Sequence, residues 1–290
     1  MHQIYMTDGK NRLVRFTAML LAIITIFVLS GMGQLDAAAA SRSPAKFYAE
    51  KTFDTDYTHP YNHQIDTINL HWTKMSGATY YEVYILGGKY TKWTKYKKVS
   101  TNSCTVTGLE RTTDYQFKLK TIYGNYYTGY SPIQKIKTAR FNYDQAGWEA
   151  VCRIVYHEVG MINDSMWDKP MVYVADCVAN RFVSAKYGKD NIWVYYYRNY
   201  KDIQSMIYNS GNFMSSAGLT RDGAVYSRVP DRVKNACWGA VYAKTSYKSI
   251  VNDYKVYYWC NRGYYTSSSK IAYTFRIPWG YFYIWREYWG

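Results

Sequence analysis

The hydrophobic pattern of this chain changes its period near residue 140, and that change constrains the fold more than any other feature. Before this point, apolar and polar residues alternate in short runs, as at Ile68, Leu70 and Trp72. After it, apolar residues recur at the spacing of one helical face, as at Trp148 and Cys152. Alternation buries one face of a strand, whereas a repeat of about 3.6 residues buries one stripe of a helix. The sequence therefore predicts a strand-built unit followed by a unit that begins with helices.

The first unit, residues 46–138, has the pattern of a β-sandwich. Its turn glycines fall between the alternating runs, at Ser76-Gly77, Gly87-Gly88 and Gly108. About 90 residues of short strands separated by such turns are typical of two packed antiparallel sheets. The side chains expected to face the core are Ile68, Leu70, Trp72, Tyr81, Val83, Ile85, Tyr115, Phe117 and Leu119.

The same segment resembles a fibronectin type III domain. The resemblance is carried by Trp72 at the end of the second strand and by the run 77–84, Gly-Ala-Thr-Tyr-Tyr-Glu-Val-Tyr, which enters the third. It is also carried by the run 106–115, in which Val-Thr-Gly-Leu is followed by Thr-Asp-Tyr. The resemblance implies that Tyr115 is a corner tyrosine, with its ring in the core and its hydroxyl bonded to upstream backbone. Such domains usually act as spacers or binding modules, so no chemistry is expected here.

The N-terminal segment has the pattern of an export signal. Basic residues at positions 10, 12 and 15 precede an uncharged apolar run, 16–32, and alanines follow at 37–40. A basic stretch, an apolar stretch and a small-residue cleavage site together are typical of a signal peptide. Residues 1–40 are therefore predicted to be removed, which makes the protein secreted or wall-associated. If the segment stays uncleaved, it would instead anchor the chain in the membrane.

The charge balance predicts a polyanionic partner. Lys and Arg together number 36 against 21 Asp and Glu, which gives a net charge of +15. A charge of this sign attracts polyanions of any kind, so the compartment decides which polyanion is met. For an exported protein, the predicted partners are wall polymers and anionic glycans, and nucleic acid is not expected.

The cysteines leave two interpretations open. Four of the five, at 152, 177, 237 and 260, lie in the second unit, where they allow three disulfide pairings. In the alternative, they are small buried thiols, a common state for cysteine in protein cores.

The second unit, residues 141–290, begins with three predicted helices. Asp144 is placed to cap the first, which ends near Gly160, and the second runs from Asp168 to Gly188. The third begins after Pro230-Asp231. Beyond residue 252 the chain alternates again, at 256–259, 271–275 and 281–285, which predicts strands. Helices followed by strands indicate an α+β layout.

Glu158 is the residue of this unit with the clearest chemical meaning. It lies close to the apolar stripe of the first helix, which directs its carboxylate inward or into a cleft. A carboxylic acid held in a cleft can donate a proton to a glycosidic leaving oxygen. Alternatively, Glu158 simply ends the helix and extends its side chain to water.

The second unit also resembles the spore-cortex-lytic cell-wall hydrolase family. The main similarity lies in the run 154–158, Ile-Val-Tyr-His-Glu, and the run 174–182, Val-Ala-Asp-Cys-Val-Ala-Asn-Arg-Phe. In that family, a helix with a Tyr-Ala-Glu-like triplet is followed by a helix that ends in Asn-Arg. Further similarity lies at 208–216, 236–243 and 280–283.

This resemblance implies a lysozyme-like α+β catalytic fold beside the all-β sandwich. It implies cleavage of peptidoglycan between N-acetylmuramic acid and N-acetylglucosamine, usually by a lytic transglycosylase reaction, with Glu158 as the catalytic acid. The expected partner is the peptidoglycan glycan strand, and no cofactor or metal is expected. The candidate substrate-binding residues are Asp176, Asn180, Asn212, Phe213, Ser215 and Tyr283.

Other chemistries can be weighed against the same residues. His157-Glu158 suggests the start of H-E-x-x-H, but residue 161 is Met, so the zinc-binding pair is absent. A binding protein without catalysis remains an alternative, because the last 150 residues hold eight Trp and 21 Tyr on which sugar rings could stack. An open, polar cleft around Glu158 would favour catalysis, whereas a cleft filled by Trp or Tyr would favour binding only.

Overall fold

The computed structural model describes residues 43–48, 64–160, 164–188, 191–219, 225–260 and 268–286. The predicted signal peptide, residues 1–40, lies outside the described residues. Among the helices of these described segments, none combines the length and the apolar character needed to cross a bilayer.

The first unit consists of two antiparallel sheets. Strands β1 and β4 form the smaller sheet. The larger sheet has the order β3-β2-β5-β6, and β7 pairs with β5 as well. The strands are β1 (Ile68–His71), β2 (Tyr80–Gly87), β3 (Tyr90–Val99), β4 (Ser103–Val106), β5 (Asp114–Tyr123), β6 (Tyr126–Tyr130) and β7 (Gln134–Lys137).

The core of this unit lies between the two sheets, as the alternating pattern predicts. Ile68 and Leu70 of β1 are fully buried, and so are Val83 of β2 and Phe117 of β5. Trp72, just beyond β1, is also fully buried and packs edge-on against the ring of Tyr81, with the ring centroids 5.4 Å apart. The polar residues between them face outward, so the larger sheet has one buried face and one face toward solvent.

Tyr115 occupies the corner position that the sequence predicts. Its ring is buried in the core, and its hydroxyl oxygen accepts a hydrogen bond from the Glu110 backbone N–H at 2.9 Å. The ring also packs beneath the turn between β2 and β3. At that turn Gly88 has a φ of +52°, and a Cβ on Gly88 would lie 2.5 Å from the Tyr115 hydroxyl oxygen. Only glycine fits this position.

The second unit combines helices with a small antiparallel sheet of order β8-β10-β9. The helices are α1 (Gln145–Val155), α2 (Asp168–Tyr187), α3 (Ile192–Tyr197), α4 (Ile203–Asn209) and α5 (Asp231–Tyr242), and the strands are β8 (Tyr258–Cys260), β9 (Ile271–Ile277) and β10 (Gly280–Trp285).

Local sequence accounts for the start of α1. The Asp144 carboxylate accepts a hydrogen bond from the Gly147 N–H at 2.8 Å and caps the helix as predicted. Val151 and Val155 are fully buried on the predicted stripe. The α-helical hydrogen bonding stops at Val155, and the chain continues as one π-helical turn from Tyr156 to Gly160. The predicted end near Gly160 is therefore reached by a wider turn.

Helix α2 is the centre of the second unit. It buries 15 of its 20 residues, including polar ones, because helices pack on one side of it and the small sheet packs on another. The predicted start at Asp168 and the predicted stop at Gly188 are both confirmed. The burial extends well beyond the single apolar face that the spacing indicates.

Arg140 joins the two units. Its backbone N–H donates to the Val241 carbonyl at 2.8 Å, and its buried guanidinium donates to the Ala240 carbonyl at 2.9 Å and to Asn180 Oδ1 at 2.6 Å. The Arg140 carbonyl in turn accepts a hydrogen bond from the Arg111 guanidinium at 3.2 Å. The junction is thus a packed, hydrogen-bonded contact.

The cysteine sulfurs favour the second of the two interpretations. Cys104, Cys152, Cys177 and Cys237 are buried free thiols. Burial raises the pKa of the Cys152 and Cys177 thiols, which keeps them protonated and unreactive.

Candidate functional site

Glu158 lies in the π-helical turn that follows α1, at the edge of the second unit's core. Its side chain is half-buried, between the buried Tyr156 and the buried Val159. A π-helical turn widens the backbone spacing and is found often at functional sites. The turn packs closely on α5, because a Cβ on Gly160 would lie 2.8 Å from Val233 Cγ2.

In the described part of the chain, the Glu158 carboxylate forms a hydrogen bond with Trp259. The indole Nε1–H of Trp259 donates a hydrogen bond to Glu158 Oε2 at 3.2 Å. Trp259 lies in β8, the edge strand of the small sheet, so this contact joins the sheet to the end of α1. Among the described residues, Glu158 Oε1 has no hydrogen-bond partner. The Trp259 indole therefore orients the carboxylate through one of its two oxygens.

The Trp259 ring packs against the guanidinium of an arginine, Arg181. The guanidinium carbon of Arg181 lies 5.0 Å from the centroid of the Trp259 ring and 4.9 Å from that of Phe213. The Phe213 and Trp259 rings also contact each other, at a centroid distance of 6.0 Å. Arg181 Nε donates to the Tyr257 carbonyl at 2.7 Å, which orients the guanidinium. These contacts place a buried cation behind the aromatic ring that contacts Glu158.

Two candidate substrate-binding residues, Asp176 and Asn180, lie in the interior of α2. Asp176 accepts hydrogen bonds from Asn252 Nδ2 at 2.6 Å and from the Asp253 N–H at 2.8 Å. Asn180 Nδ2 donates to the Val256 carbonyl at 2.6 Å, and its Oδ1 accepts from the arginine at the junction. Asp176 is fully buried and Asn180 is nearly so. In this arrangement both residues hold the 252–256 segment against α2.

Burial raises the pKa of Asp176 to about 7, although the hydrogen bonds from Asn252 and Asp253 act to lower it. The cause is the loss of hydration of a carboxylate in the protein interior. The charge of Asp176 therefore changes near neutral pH, but its side chain is fully buried and cannot contact a ligand.

The three candidates at 212–215 occupy one loop but differ in exposure. Phe213 is buried against Trp259, so it connects the loop to the Glu158 partner. Asn212 is exposed, and its Nδ2 donates to the Ser210 carbonyl at 3.4 Å. Ser215 is also exposed, and its hydroxyl oxygen accepts from the Gly218 N–H at 3.3 Å, which caps a short 3₁₀ turn. The exposed pair is available to a ligand at the loop surface.

Tyr283 lies on the opposite face of β10 from the core side chains. Phe282 and Ile284 of β10 are buried in the second unit's core, and alternation directs Tyr283 to the other face. There its ring stacks on Trp285, with the centroids 5.9 Å apart, and contacts the exposed Tyr281. Tyr283 therefore lies on the face opposite to that of Ile284, which is the register partner of Trp259.

An ion group that the sequence analysis did not identify anchors the same turn. Asp168 is buried at the start of α2 and contacts Lys248 Nζ at 2.8 Å and Arg232 Nη1 at 3.6 Å. Arg232 also donates to the Gly160 carbonyl at 2.8 Å. In the sequence these residues are far apart, and only the start-of-helix position of Asp168 gave a signal.

Metal ligation has no support in the described segments. Nowhere in them do three or more His, Cys, Asp or Glu side chains form a group that could hold a metal ion. The site near Glu158 consists instead of one carboxylate, one indole and the rings behind them.

No protein-family model matches the chain, and no curated protein matches it. Solved structures similar to part of it are fibronectin type III domains. One is a human fibronectin type III domain at 18% identity, with a TM-score of 0.27, over 34% of this chain and 89% of that chain. A Fn3-like protein from Clostridium thermocellum has 15% identity and a TM-score of 0.26, over 36% of this chain and 100% of that chain.

The twitchin kinase region from C. elegans is similar at 16% identity and a TM-score of 0.24, over 26% of this chain. The match spans 14% of the twitchin chain. The likeness of all three to this chain is weak and reaches about a third of it, and none of the three is a cell-wall hydrolase.

Proposed function

We propose that this protein is an exported peptidoglycan-cleaving glycosidase of the lytic transglycosylase type, with Glu158 as its general acid and base. The observation that carries the proposal is the half-buried carboxylate in a π-helical turn, oriented at one oxygen by the Trp259 indole. A single oriented carboxylic acid is the group that protonation of a glycosidic oxygen requires.

The reaction needs one carboxyl group when the substrate supplies the nucleophile. Glu158 gives its proton to the glycosidic oxygen as the bond from that oxygen to the muramoyl C1 breaks. The resulting carboxylate then takes the proton from the muramoyl 6-hydroxyl, whose oxygen bonds to C1 and closes a 1,6-anhydro ring. Because the sugar replaces water as the nucleophile, the second carboxylate of most glycosidases is dispensable.

The sequence resemblance supports the same assignment. Glu158 falls where the spore-cortex-lytic hydrolases have their catalytic acid, and the helix order that follows is similar. We therefore propose a lysozyme-like catalytic domain over residues 141–290, behind a fibronectin type III domain at 46–138. Peptidoglycan strands would be the partner, with anionic wall polymers beside them, at the bacterial cell surface.

A specific observation favours a second candidate, a glycan-binding protein without catalysis. The partner of Glu158 is an aromatic ring, and exposed rings lie elsewhere on this unit, at Tyr195, Trp279 and Tyr281, with exposures of 71%, 59% and 51%. Exposed aromatic rings offer apolar faces on which sugars stack. In that case the carboxylate would only hydrogen-bond to sugar hydroxyls.

Mass spectrometry of muropeptides separates the two candidates. Purified peptidoglycan is incubated with the wild-type protein, with Glu158→Gln and with the control Glu149→Gln, which makes the same change on α1. Anhydro-muropeptides from the wild type and the control, but not from Glu158→Gln, are the expected result. Fragments with reducing ends would show hydrolysis by water. If the glycan stays intact with all three proteins and the wild type pellets with peptidoglycan, the result contradicts the enzyme and supports the binding protein.

A further inference from the structure

The outer face of the larger sheet in the first unit carries lysines interleaved with aromatic rings. In β5, Lys118 and Lys120 alternate with the buried residues Phe117, Leu119 and Thr121, so the two lysines face away from the core. The face, here called the lysine-aromatic face, spans four neighbouring strands. Its members are Tyr80, Tyr84, Trp93, Lys95, Lys98, Lys118, Lys120, Tyr127 and Tyr130.

Strand register brings these side chains into contact. Lys118 stands opposite Tyr84, and Lys120 stands opposite Tyr130. The ammonium of Lys118 lies 3.8 Å from the centroid of the Tyr130 ring and 4.2 Å from that of Trp93. The ammonium of Lys120 lies 4.2 Å from the centroid of the Tyr127 ring. Cations and ring faces thus form one continuous surface across the sheet.

The protein neutralises only part of the positive charge of this face. The face encloses one carboxylate, that of Glu82, which accepts hydrogen bonds from Lys95 Nζ at 2.7 Å and from the Tyr84 hydroxyl at 2.8 Å. Lys98, Lys118 and Lys120 form no ion pair within the described segments and contact rings instead. Four lysines against one glutamate leave a net charge of +3 on this surface.

We propose that the lysine-aromatic face binds an acidic polysaccharide, a chain of sugar rings that carry negative groups. Tyr127 and Tyr130 are 56% and 44% exposed, so their rings can stack against sugars. The unpaired lysines complement the acidic groups. The cations are all lysines, whereas phosphate recognition in nucleic acids relies heavily on the planar arginine fork. This inference is independent of the proposed function, because it concerns the first unit and needs no cleavage.

The test measures binding of the full mature chain to polygalacturonate, with neutral dextran, polyglutamate and single-stranded DNA as comparison ligands. Isothermal titration calorimetry at low salt is expected to give binding to polygalacturonate, none to dextran, and weaker binding to polyglutamate. The double variant Lys118→Gln/Lys120→Gln is expected to weaken polygalacturonate binding about tenfold, since charged groups facing a polyanion dominate its affinity. Tyr127→Ala is expected to weaken it as well, by removal of one stacking ring.

Matched controls change the same residue types elsewhere. Lys169→Gln/Lys201→Gln removes two exposed lysines of the second unit, and Tyr196→Ala removes an exposed ring of α3. Both controls are expected to bind polygalacturonate like the wild type. If the lysine double variant binds no more weakly than its control, the face is not the site. If polyglutamate or DNA binds as tightly as polygalacturonate, the ligand class is wrong.

Discussion

The indole Nε1–H of Trp259 donates to Glu158 Oε2 across 101 positions of sequence, at 3.2 Å. This bond connects the edge strand of the small sheet to the π-helical turn after α1. It fixes one oxygen of the carboxylate and, through the ring, ties Glu158 to the buried Arg181 behind Trp259. The orientation of Glu158 therefore depends on a residue outside its own helix.

Trp259→Phe keeps the ring and removes the N–H donor. With Oε2 unheld, we expect kcat/KM for peptidoglycan cleavage to fall about tenfold, which corresponds to about 1.4 kcal/mol. Thermal unfolding is expected to change little, because the ring still packs on Phe213. The control Trp279→Phe alters an exposed indole and should leave kcat/KM unchanged. An unchanged kcat/KM for Trp259→Phe would show that the indole does not position the acid.

Asp176→Asn tests the buried carboxyl group. At pH 5 the Asp176 carboxyl group is protonated, but its hydroxyl oxygen can still accept a hydrogen bond. An Asn amide nitrogen cannot accept one, so in the variant either Asn252 Nδ2 or the Asp253 N–H loses its acceptor. We expect a loss of about 1–3 kcal/mol of unfolding free energy at pH 5, as for a buried polar group without its partner. The control Asp114→Asn changes an exposed carboxylate and should cost little.

The same variant has a defined pH dependence. Burial raises the pKa of Asp176 to about 7, above the value of about 4 for an unfolded aspartate. The contribution of this carboxyl group to stability is therefore full below about pH 4 and is lost as pH rises through about 7. In urea unfolding, the advantage of the wild type over Asp176→Asn should shrink between pH 5 and pH 8. A constant difference over this range would contradict the raised pKa.

Tyr115→Phe removes the corner hydroxyl and leaves the Glu110 N–H without its acceptor. We expect a loss of about 1–3 kcal/mol of unfolding free energy, measured by urea unfolding. Gly88→Ala should also destabilise, since its Cβ would clash with the Tyr115 hydroxyl oxygen at 2.5 Å. The exposed Tyr127→Phe serves as the control. If Tyr115→Phe and Tyr127→Phe have equal stability, the corner hydrogen bond contributes nothing.

Gly160→Ala tests the close packing of the Glu158 turn on α5. The new Cβ would lie 2.8 Å from Val233 Cγ2 and 2.7 Å from Tyr156 Cδ2, so the turn or the helix must move. We expect a loss of about 1–3 kcal/mol in stability, as for other overpacked positions. Gly129→Ala adds its Cβ in open space and should be close to neutral. Equal thermal midpoints for the two variants would argue against this packing.

Local signals in the sequence were sufficient for much of the fold. The Asp144 cap, the start of α2 at Asp168 and the alternating core of the sandwich all follow from residues within a few positions of each other. Strand β8 begins two residues later than predicted, at Tyr258 instead of Val256. The ends of an irregular edge strand depend on its partner strand more than on its own composition.

The residues that surround Glu158, Asp176 and Asn180 could not be predicted as well from the sequence. Spacing suggested one buried face for α2, whereas elements pack around it and enclose Asp176 and Asn180 as well. Trp259 gave no signal of its own, because its contact with Glu158 depends on how β8 docks against the end of α1. Such contacts are set by tertiary packing, which periodicity does not encode.

The junction at Arg140 has a consequence for how the two units would work on one polymer. A flexible linker lets two sites sample many separations, whereas buried hydrogen bonds to Val241, Ala240 and Asn180 permit one. For a glycan held on the first unit, the distance along the chain to the second unit would therefore be constant. Under the proposed function, each cut would then fall at a set distance along the strand from the point where the first unit holds it.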